Sequence, residues 1–393
     1  MTCLLALGGA GLAAWIAAAV VSRPRWAAMA AGRDVHVREV SDPIGRGGGV
    51  AVAVPVLLAA LICGFPSSLA PSAAGVLVVA SLTMSFLVGL VDDVRPLGPL
   101  AKFIGQCLAA AGLAVAAAWS GLGWVAIVLA VLVSLWSQNA WNFIDGTDGL
   151  MAAGGIAVFS VGGVLAWEAG RGQPELVLLS ALVVAGLLGF LPWNVPSARL
   201  FLGDSGSLFI GGAYAICTLM AFQSSPGLGW AWVALAAPVH ADVLVCLARR
   251  VVRGCRWWEG HREHAYQHLA HRRGSHLAPL AVGGALWLLI AVPSALLALE
   301  FGWAAAVGGV ATCGAAVLAL GSGRPVEVSV AAASRETAAE SARGVTRPGP
   351  VAPAGLSMSG TSTARRTPGD LLVDTGIVER GPGGTLASSS LRK

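Results

Sequence analysis

The sequence predicts an all-α polytopic membrane protein with about eleven transmembrane helices. Hydrophobic residues make up 56% of its 393 residues and charged residues only 11%, and the mean hydropathy is +0.75. Its apolar runs are long and lack the alternation of β-strands, which argues against a barrel. A third observation, the placement of the basic residues, gives these helices a direction.

Eleven apolar segments approach the length of about 20 residues that a helix needs to cross a bilayer. They lie near residues 3–21, 48–64, 72–91, 99–118, 121–137, 149–167, 175–191, 206–222, 228–248, 277–298 and 301–320. No positive charge precedes the first segment, whereas Arg23 and Arg25 follow it. This order favours an uncleaved anchor with its N-terminus in the periplasm.

The basic residues are distributed very unevenly between the loops. Of the 16 Lys and Arg residues in positions 1–320, 15 lie in the odd-numbered loops and only Arg171 lies in an even one. Because cytoplasmic loops carry the excess of positive charge, the odd loops are predicted to face the cytoplasm. The net charge of +5 is explained by this bias, so no nucleic-acid partner is predicted.

The composition changes abruptly near residue 321. Residues 321–393 contain no Phe, Trp or Tyr and are rich in small and polar residues. Such a segment cannot bury enough apolar area to offset its chain entropy. We therefore predict a transmembrane domain over 1–320 and a disordered cytoplasmic tail over 321–393.

The most conspicuous polar stretch is NAWNFIDGTDGLM, at the end of an apolar segment. It carries Asn139, Asn142, Asp145 and Asp148. An ionised Asp in hydrocarbon costs roughly 2.5–3.5 kcal/mol on insertion scales, so acids at a membrane edge are functional candidates. The stretch is predicted to form the floor of a catalytic site on the cytoplasmic side.

Asp92 and Asp93 end another apolar segment, shortly before Lys102. The pair could be a solvated helix end, but negative charge at a helix C-terminus is unfavourable against the helix dipole. Two carboxylates beside a lysine suit a site that handles a phosphate and a divalent cation, since Mg²⁺ prefers carboxylate and phosphate oxygens.

The stretch NVPSARLFLGDSGS places Asp204 between two glycines at a predicted helix start. Asp204 could cap this helix, and the free N–H groups of the helix could also cradle a phosphate. Phe201 could belong to the core or form a platform for a flat base.

The stretch HREHAYQHLAH spaces its four histidines by 3, 4 and 3 residues, which predicts that they line one face of a helix. The zinc-peptidase pattern HExxH is absent. A hydrated loop face is one interpretation; pyrophosphate binding by the imidazoles and Arg262 suits the pattern better than a closed metal site. Asp242 lies within or near a span, and its partner is not predicted.

In this order, the motifs resemble the polyprenyl-phosphate N-acetylhexosamine-1-phosphate transferases of glycosyltransferase family 4. The matching stretches are RGGG at 46–49, VDD at 91–93, NAWNFIDGTDGL at 139–150, NVPSARLFLGDSGS at 194–207 and HREHAYQHL at 261–269. The form HAYQHL, with RRGSH after it, looks like the branch that initiates O-antigen synthesis. The chain departs from the family in having Gly45 before Arg46, where proline is usual, and in reading HVREVSD in the first loop.

The resemblance implies transfer of a sugar 1-phosphate from a UDP-N-acetylhexosamine to undecaprenyl phosphate, with release of UMP and with Mg²⁺ or Mn²⁺ as cofactor. It implies a bacterial inner-membrane enzyme whose active site faces the cytoplasm, and it leaves a homodimer open. Phosphoryl transfer needs positioning and charge neutralisation more than covalent chemistry, so direct in-line attack is favoured over an aspartyl intermediate.

The resemblance also implies a role for each matched residue. Asp204, with Asp145, would bind the metal, and Asp92, Asp93 and Lys102 would handle the lipid phosphate. The nucleotide-sugar pocket would contain Arg46, Asn142, Asp145, Asp148, Asn194, Phe201, Arg262, His264 and His268, with Phe201 and Asn194 at the uracil.

Three alternatives remain at this level. Within the family, the second candidate is the phospho-MurNAc-pentapeptide translocase of peptidoglycan synthesis. A secondary transporter would place its polar residues near the bilayer midplane. A CDP-alcohol phosphotransferase would need a DG-x2-AR start, whereas Asp145-Gly146 is followed by Thr-Asp-Gly.

Overall fold

The described part of the chain is almost entirely helical. The computed structural model describes residues 2–22, 44–65, 73–170, 173–256, 261 and 263–321, so the predicted tail and Arg262 lie outside the described residues. The helices are α1 (Thr2–Val21), α2 (Gly48–Ile62), α3 (Ala73–Val94), α4 (Pro99–Trp119), α5 (Trp124–Phe143), α6 (Leu150–Glu168), α7 (Pro174–Asn194), α8 (Gly203–Ser224), α9 (Pro226–Leu235), α10 (Ala237–Val252), α11 (Ala265–Arg273), α12 (Leu277–Phe301, with a π-turn at Trp287–Ala291) and α13 (Trp303–Leu320). These residues confirm the predicted all-α membrane fold.

All eleven predicted apolar segments fall on helices. Nine helices in the described ranges are long and apolar enough to cross a membrane, and α9 with α10 makes a tenth if the bent pair is one span. The predicted span over 228–248 consists of two helices, because the chain bends by 64° between α9 and α10. Pro238, in the first turn of α10, cannot donate a backbone hydrogen bond across this bend.

Helix α8 lies at the centre of the bundle. It packs against α2, α3, α5, α7 and α9, and nearly all of its length is buried. Small residues permit this close packing: a Cβ on Gly211 would lie 2.6 Å from the Cα of Gln138 on α5. In lipid, the hydrophobic effect does not drive helices together, so close packing of their backbones is a main contribution to helix association. The start of α8 is therefore rigidly held.

The two ends of the bundle differ in character. The residues of the VDD, NAWNFIDGTDGL and GDSGS motifs lie where α3 and α5 end and where α8 begins. At the opposite ends of α4, α5 and α6, the side chains of Trp119, Trp124 and Trp167 are exposed. Exposed tryptophans at helix ends are typical of a membrane interface. The polar motifs thus share one end of the bundle.

Candidate active site

Asp204, in the first turn of α8, accepts hydrogen bonds from two other helices. Its Oδ2 lies 2.6 Å from Lys102 Nζ on α4, and its Oδ1 lies 2.6 Å from Asn142 Nδ2 on α5. The Asn142 amide also donates to Ser207 Oγ at 2.8 Å. Because the carboxylate receives one charged and one neutral donor, it is held in a single orientation.

Asp92 lies on the other side of the same lysine. Its Oδ2 is 3.2 Å from Lys102 Nζ, and its Oδ1 accepts the backbone N–H of Leu97 at 2.6 Å. The ammonium of Lys102 therefore lies between two carboxylates, one from the end of α3 and one from the start of α8. The VDD motif and the lysine thus meet the GDSGS motif in the structure.

Asp93 turns away from the lysine and holds the start of α8. Its Oδ1 accepts the N–H of Asp204 at 2.8 Å, and its Oδ2 accepts the N–H and the hydroxyl of Ser205 at 2.9 and 2.6 Å. The prediction that these N–H groups are free to cradle a phosphate is therefore wrong. Asp204 is also not the cap of its own helix, since Asp93 fills that role from α3.

The glycines of the motifs allow the backbones to meet. The N–H groups of Gly48 and Gly49 donate to the carbonyls of Phe201 and Leu202 at 2.9 and 2.7 Å, so the RGGG stretch pairs with the residues before α8. A Cβ on Gly49 would lie 2.1 Å from the nitrogen of Gly206. A glycine triplet is uninformative in a chain with 52 glycines, yet here it fixes α2 against α8.

We expect Gly203→Ala to destabilise the protein. Gly203 has a φ of +74°, and a Cβ there would lie 2.7 Å from both the carbonyl oxygen of Arg46 and Asp93 Oδ2. The backbone strain alone costs about 1–3 kcal/mol. Thermal unfolding of the detergent-solubilised protein should show a clear loss. Gly308→Ala is the matched control, because a Cβ there meets no atom within 4 Å; equal melting temperatures for the two variants would contradict the packing.

Asp145, in the turn after α5, adds a further carboxyl to the site. Burial, with the nearby charges of Asp204 and Asp93, raises the pKa of Asp145 to about 8 against the opposing effect of Arg46. The N–H of Gly203 also donates to this carboxyl. The structure thus brings together seven predicted residues: Arg46, Asp92, Asp93, Lys102, Asn142, Asp145 and Asp204.

Asp148 and Asn194 connect the turn after α5 to the loop before α8. Asp148 Oδ2 accepts the N–H of Ala198 at 2.9 Å. Asn194 accepts the N–H of Gly149 at 2.8 Å and donates to the carbonyl of Leu200 at 3.0 Å. Phe201 is buried in the same loop, with 4% of its surface exposed. These contacts order the wall of the site. That Asp148, Asn194 and Phe201 contact a nucleotide stays a prediction.

The histidines do not all lie on one helix face, so that prediction is wrong. Helix α11 begins at Ala265, which leaves His264 at its N-cap and His261 before it. His268 is buried on α11, and burial and the Arg272 charge lower its pKa. The segment still reaches the site, because Tyr266 Oη donates to the carbonyl of Phe143 at 2.7 Å.

The carboxylates fit a divalent cation that binds through oxygen. Besides its burial, the pKa of Asp145 is raised by the nearby negative charges of Asp204 and Asp93. A cation would relieve this repulsion, and Mg²⁺ takes one or two carboxylates with substrate phosphate oxygens. Asp204 with Asp145 or Asp92 could therefore hold Mg²⁺ or Mn²⁺.

A second group of ligand atoms does not fit a metal. Single ligand atoms of Cys246, His261 and His264 lie within 4.8 Å of one another. However, the two imidazole rings are stacked, with centroids 5.0 Å apart and planes inclined by 25°. Their lone pairs lie in nearly parallel planes and do not converge on one point, so tetrahedral coordination is unfavourable here.

Several side chains that position the site are not evident from the sequence motifs. Ser205 and Ser207 bind Asp93 and Asn142 through their hydroxyls. Gln106 exchanges two side-chain hydrogen bonds with Asn139, at 3.0 and 3.3 Å, and joins α4 to α5 below the site. The sequence feature that points to Gln106 is a polar residue within an apolar run, since polar residues in membrane spans need hydrogen-bond partners.

Comparison with known proteins finds one matching family model and several related proteins. Residues 75–222 match the family model of glycosyl transferase family 4. The chain is 32% identical over 200 residues to the phospho-N-acetylmuramoyl-pentapeptide-transferase of Halalkalibacterium halodurans, covering 45% of this chain and 60% of that protein. It is 40% identical over 209 residues to the decaprenyl-phosphate N-acetylglucosaminephosphotransferase of Mycolicibacterium smegmatis, covering 46% and 49%.

A third relative is the probable undecaprenyl-phosphate N-acetylglucosaminyl 1-phosphate transferase of Bacillus subtilis, 31% identical over 205 residues, or 48% of this chain and 54% of that protein. The chain spans about half the length of these three relatives. These matches agree with the resemblance that the sequence motifs indicated.

Proposed function

We propose that this relative of the family 4 glycosyl transferases transfers an N-acetylhexosamine 1-phosphate from a UDP-sugar to a polyprenyl phosphate. The observation that carries the proposal is the constellation of Asp92, Lys102, Asn142 and Asp204. Three helix ends surround the ammonium group that the fourth carries. An oxygen of the lipid phosphate attacks the phosphorus that bears the sugar, and the bond to UMP breaks. Such a step needs alignment and charge neutralisation, which these groups supply.

The roles follow from the charges of the side chains. Asp204 and Asp145 would hold Mg²⁺ or Mn²⁺, which would neutralise the diphosphate of the donor. Lys102 attracts the lipid phosphate, and Asp92, on its other side, keeps the ammonium in place. Direct attack needs no covalent intermediate, because the acceptor phosphate is itself the nucleophile.

The ends of the bundle support a cytoplasmic site in a bacterial inner membrane. Arg95, Arg199, Arg249 and Arg272 lie in loops or helix ends on the side of the polar motifs, and the exposed tryptophans lie at the other end. Positive charge favours the cytoplasmic side of a membrane. A site at that surface is reached by a water-soluble donor from one side and by a lipid acceptor from the bilayer.

For the donor, we favour a UDP-N-acetylhexosamine without a peptide, with undecaprenyl phosphate as acceptor, in O-antigen or other cell-surface glycan synthesis. The loop reads HAYQHL, the form that resembles the branch initiating O-antigen synthesis. UDP-MurNAc-pentapeptide is the second candidate, because the relatives include proteins named for both donors. The geometry does not favour a secondary transporter, since the charged cluster lies at helix ends and not at the midplane.

A radiolabelled transfer assay tests the proposal. Purified protein is incubated with undecaprenyl phosphate, Mg²⁺ and a panel of UDP-sugars that includes UDP-GlcNAc and UDP-MurNAc-pentapeptide. We expect a lipid-linked sugar and UMP with an N-acetylhexosamine donor. No product with any donor, from protein that unfolds cooperatively on heating, would contradict the proposed function; a product with the MurNAc-pentapeptide donor alone would select the second candidate.

We expect the apparent affinity for Mg²⁺ to rise as the pH is raised from 7 to 9. The pKa of Asp145 is about 8, so below that pH a proton occupies the carboxyl that the metal needs. Metal binding then releases this proton, and each pH unit below the pKa weakens binding by up to about tenfold. Initial rates over a Mg²⁺ series at each pH measure the effect. A dependence that persists unchanged in Asp145→Asn would contradict the assignment to Asp145.

A further inference from the structure

Asp242 is a buried carboxyl in α10 that the proposed reaction does not use directly. Only 6% of its surface is exposed, and its oxygens bind the start of the next helix. Oδ2 lies 2.8 Å from His264 Nδ1, and Oδ1 accepts the N–H of Ala265 at 2.8 Å. One carboxylate thus fixes both an imidazole ring and the backbone that carries it.

This contact decides which nitrogen of His264 carries the proton. An ionised carboxylate accepts hydrogen bonds and cannot donate one, so Nδ1 must be the protonated atom in the neutral ring. The other nitrogen, Nε2, then presents a lone pair. A carboxylate that orients a histidine through its second nitrogen is a recurrent device at functional sites.

Within the described residues, Nε2 of His264 is buried and has no hydrogen-bond partner. The whole residue is 2% exposed. Leaving such a group unsatisfied costs about 1–3 kcal/mol. Nε2 of His264 is therefore left to accept a hydrogen bond from another partner.

Aromatic neighbours prevent the ring from turning. The His264 ring is stacked with Tyr266 at 5.7 Å and with His261 at 5.0 Å, measured between ring centroids. The Phe143 ring lies 5.6 Å away, and Phe143 directly follows Asn142 of the site. The histidine thus lies against the end of α5, which carries Asn142 and leads into the turn of Asp145.

We propose that Asp242 is a positioning residue that fixes the tautomer and orientation of His264, so that Nε2 accepts a hydrogen bond from a hydroxyl or amide N–H of the donor sugar. The proposal rests on the proposed function, in which His264 contacts the nucleotide-sugar. It gives the HREHAYQHL motif a specific chemical role, because Nε2 then recognises a hydrogen-bond donor of the sugar and not an oxygen of the diphosphate.

Asp242→Asn separates this role from a purely structural one. The Asn carbonyl can still accept the N–H of Ala265, so the start of α11 keeps its partner. The Asn amide, however, donates to Nδ1 of His264 and moves the ring proton to Nε2. NMR of protein labelled selectively with ¹⁵N-histidine then reports the tautomer. Among the seven histidines, the His264 signal is the one that is lost in His264→Gln.

We expect the wild-type His264 signal to report a proton on Nδ1, and the Asp242→Asn signal to report one on Nε2. The kcat/KM for the sugar donor should fall about 10- to 100-fold, the range found for carboxylate partners of metal-ligating histidines, with the melting temperature nearly unchanged. Glu263→Gln is the matched control, because Glu263 pairs with Arg250 and Arg253 beside the same histidine. This control should leave the His264 signal in place.

An unchanged His264 signal in Asp242→Asn, or a changed signal with wild-type kcat and KM, would overturn the positioning role. If the wild type transfers no sugar from any donor, the proposed function fails, and an unchanged His264 signal in Asp242→Asn would still overturn the positioning proposal on its own.

Discussion

Asp204→Asn is expected to reduce sugar 1-phosphate transfer by at least about 10²–10³-fold, the size of effect seen when one group that stabilises transition-state charge is removed. Asp204 is the carboxylate on which Lys102 and Asn142 converge, at 2.6 Å each. The substitution removes a hard oxygen ligand and leaves the ammonium with Asp92 alone. Initial rates at saturating donor, acceptor and Mg²⁺ measure the loss.

The fold of the Asp204→Asn variant should be retained. The start of α8 is held through the backbone N–H groups of residues 204 and 205, which donate to Asp93 whatever the side chain at 204. Glu300→Gln, exposed at the far end of α12, is a matched control that removes one carboxylate without touching the site. If Asp204→Asn transferred sugar 1-phosphate at the rate of this control, Asp204 would have no role in the reaction.

The membrane fold was predictable because it depends on local composition. Each apolar segment is long enough to be recognised by itself, and the placement of arginines orders the loops without knowledge of any contact. What composition could not predict is which helix lies at the centre. Helix α8 is no more apolar than its neighbours. Its burial follows from where Gly206 and Gly211 meet other backbones and where Gly212 meets the Ser85 side chain.

The site was predictable as a set of residue types but not as a set of roles. The spacing of the histidines predicts a helix through His261, yet Asp242, 22 residues before His264, caps the chain at Ala265 and sets the helix start. Likewise, Gly48 and Gly49 acquire their role from carbonyls more than 150 positions away. Contacts of this range are tertiary and leave no trace in the local pattern.

Asp92 and Asp93 make different contacts, and substituting them gives the other large expected effect. Adjacent residues on a helix project about 100° apart, so two carboxylates that look equivalent in the sequence face different neighbours. Asp92 faces Lys102, whereas Asp93 accepts three hydrogen bonds from Asp204 and Ser205. We therefore expect Asp92→Asn to lower the rate and Asp93→Asn to lower the stability.

In Asp93→Asn, the amide can accept through one atom only, and its NH₂ group opposes a donor of α8. Each buried N–H left unsatisfied costs about 1–3 kcal/mol, and the displaced start of α8 moves Asp204 away from Lys102. The melting temperature and the rate should fall together. In Asp92→Asn, Lys102 keeps Asp204, and the N–H of Leu97 keeps an acceptor, so only the rate should fall. Equal melting temperatures for the two variants would contradict the assignment of Asp93 as the cap of α8, and a wild-type rate in Asp92→Asn would remove Asp92 from the phosphate site.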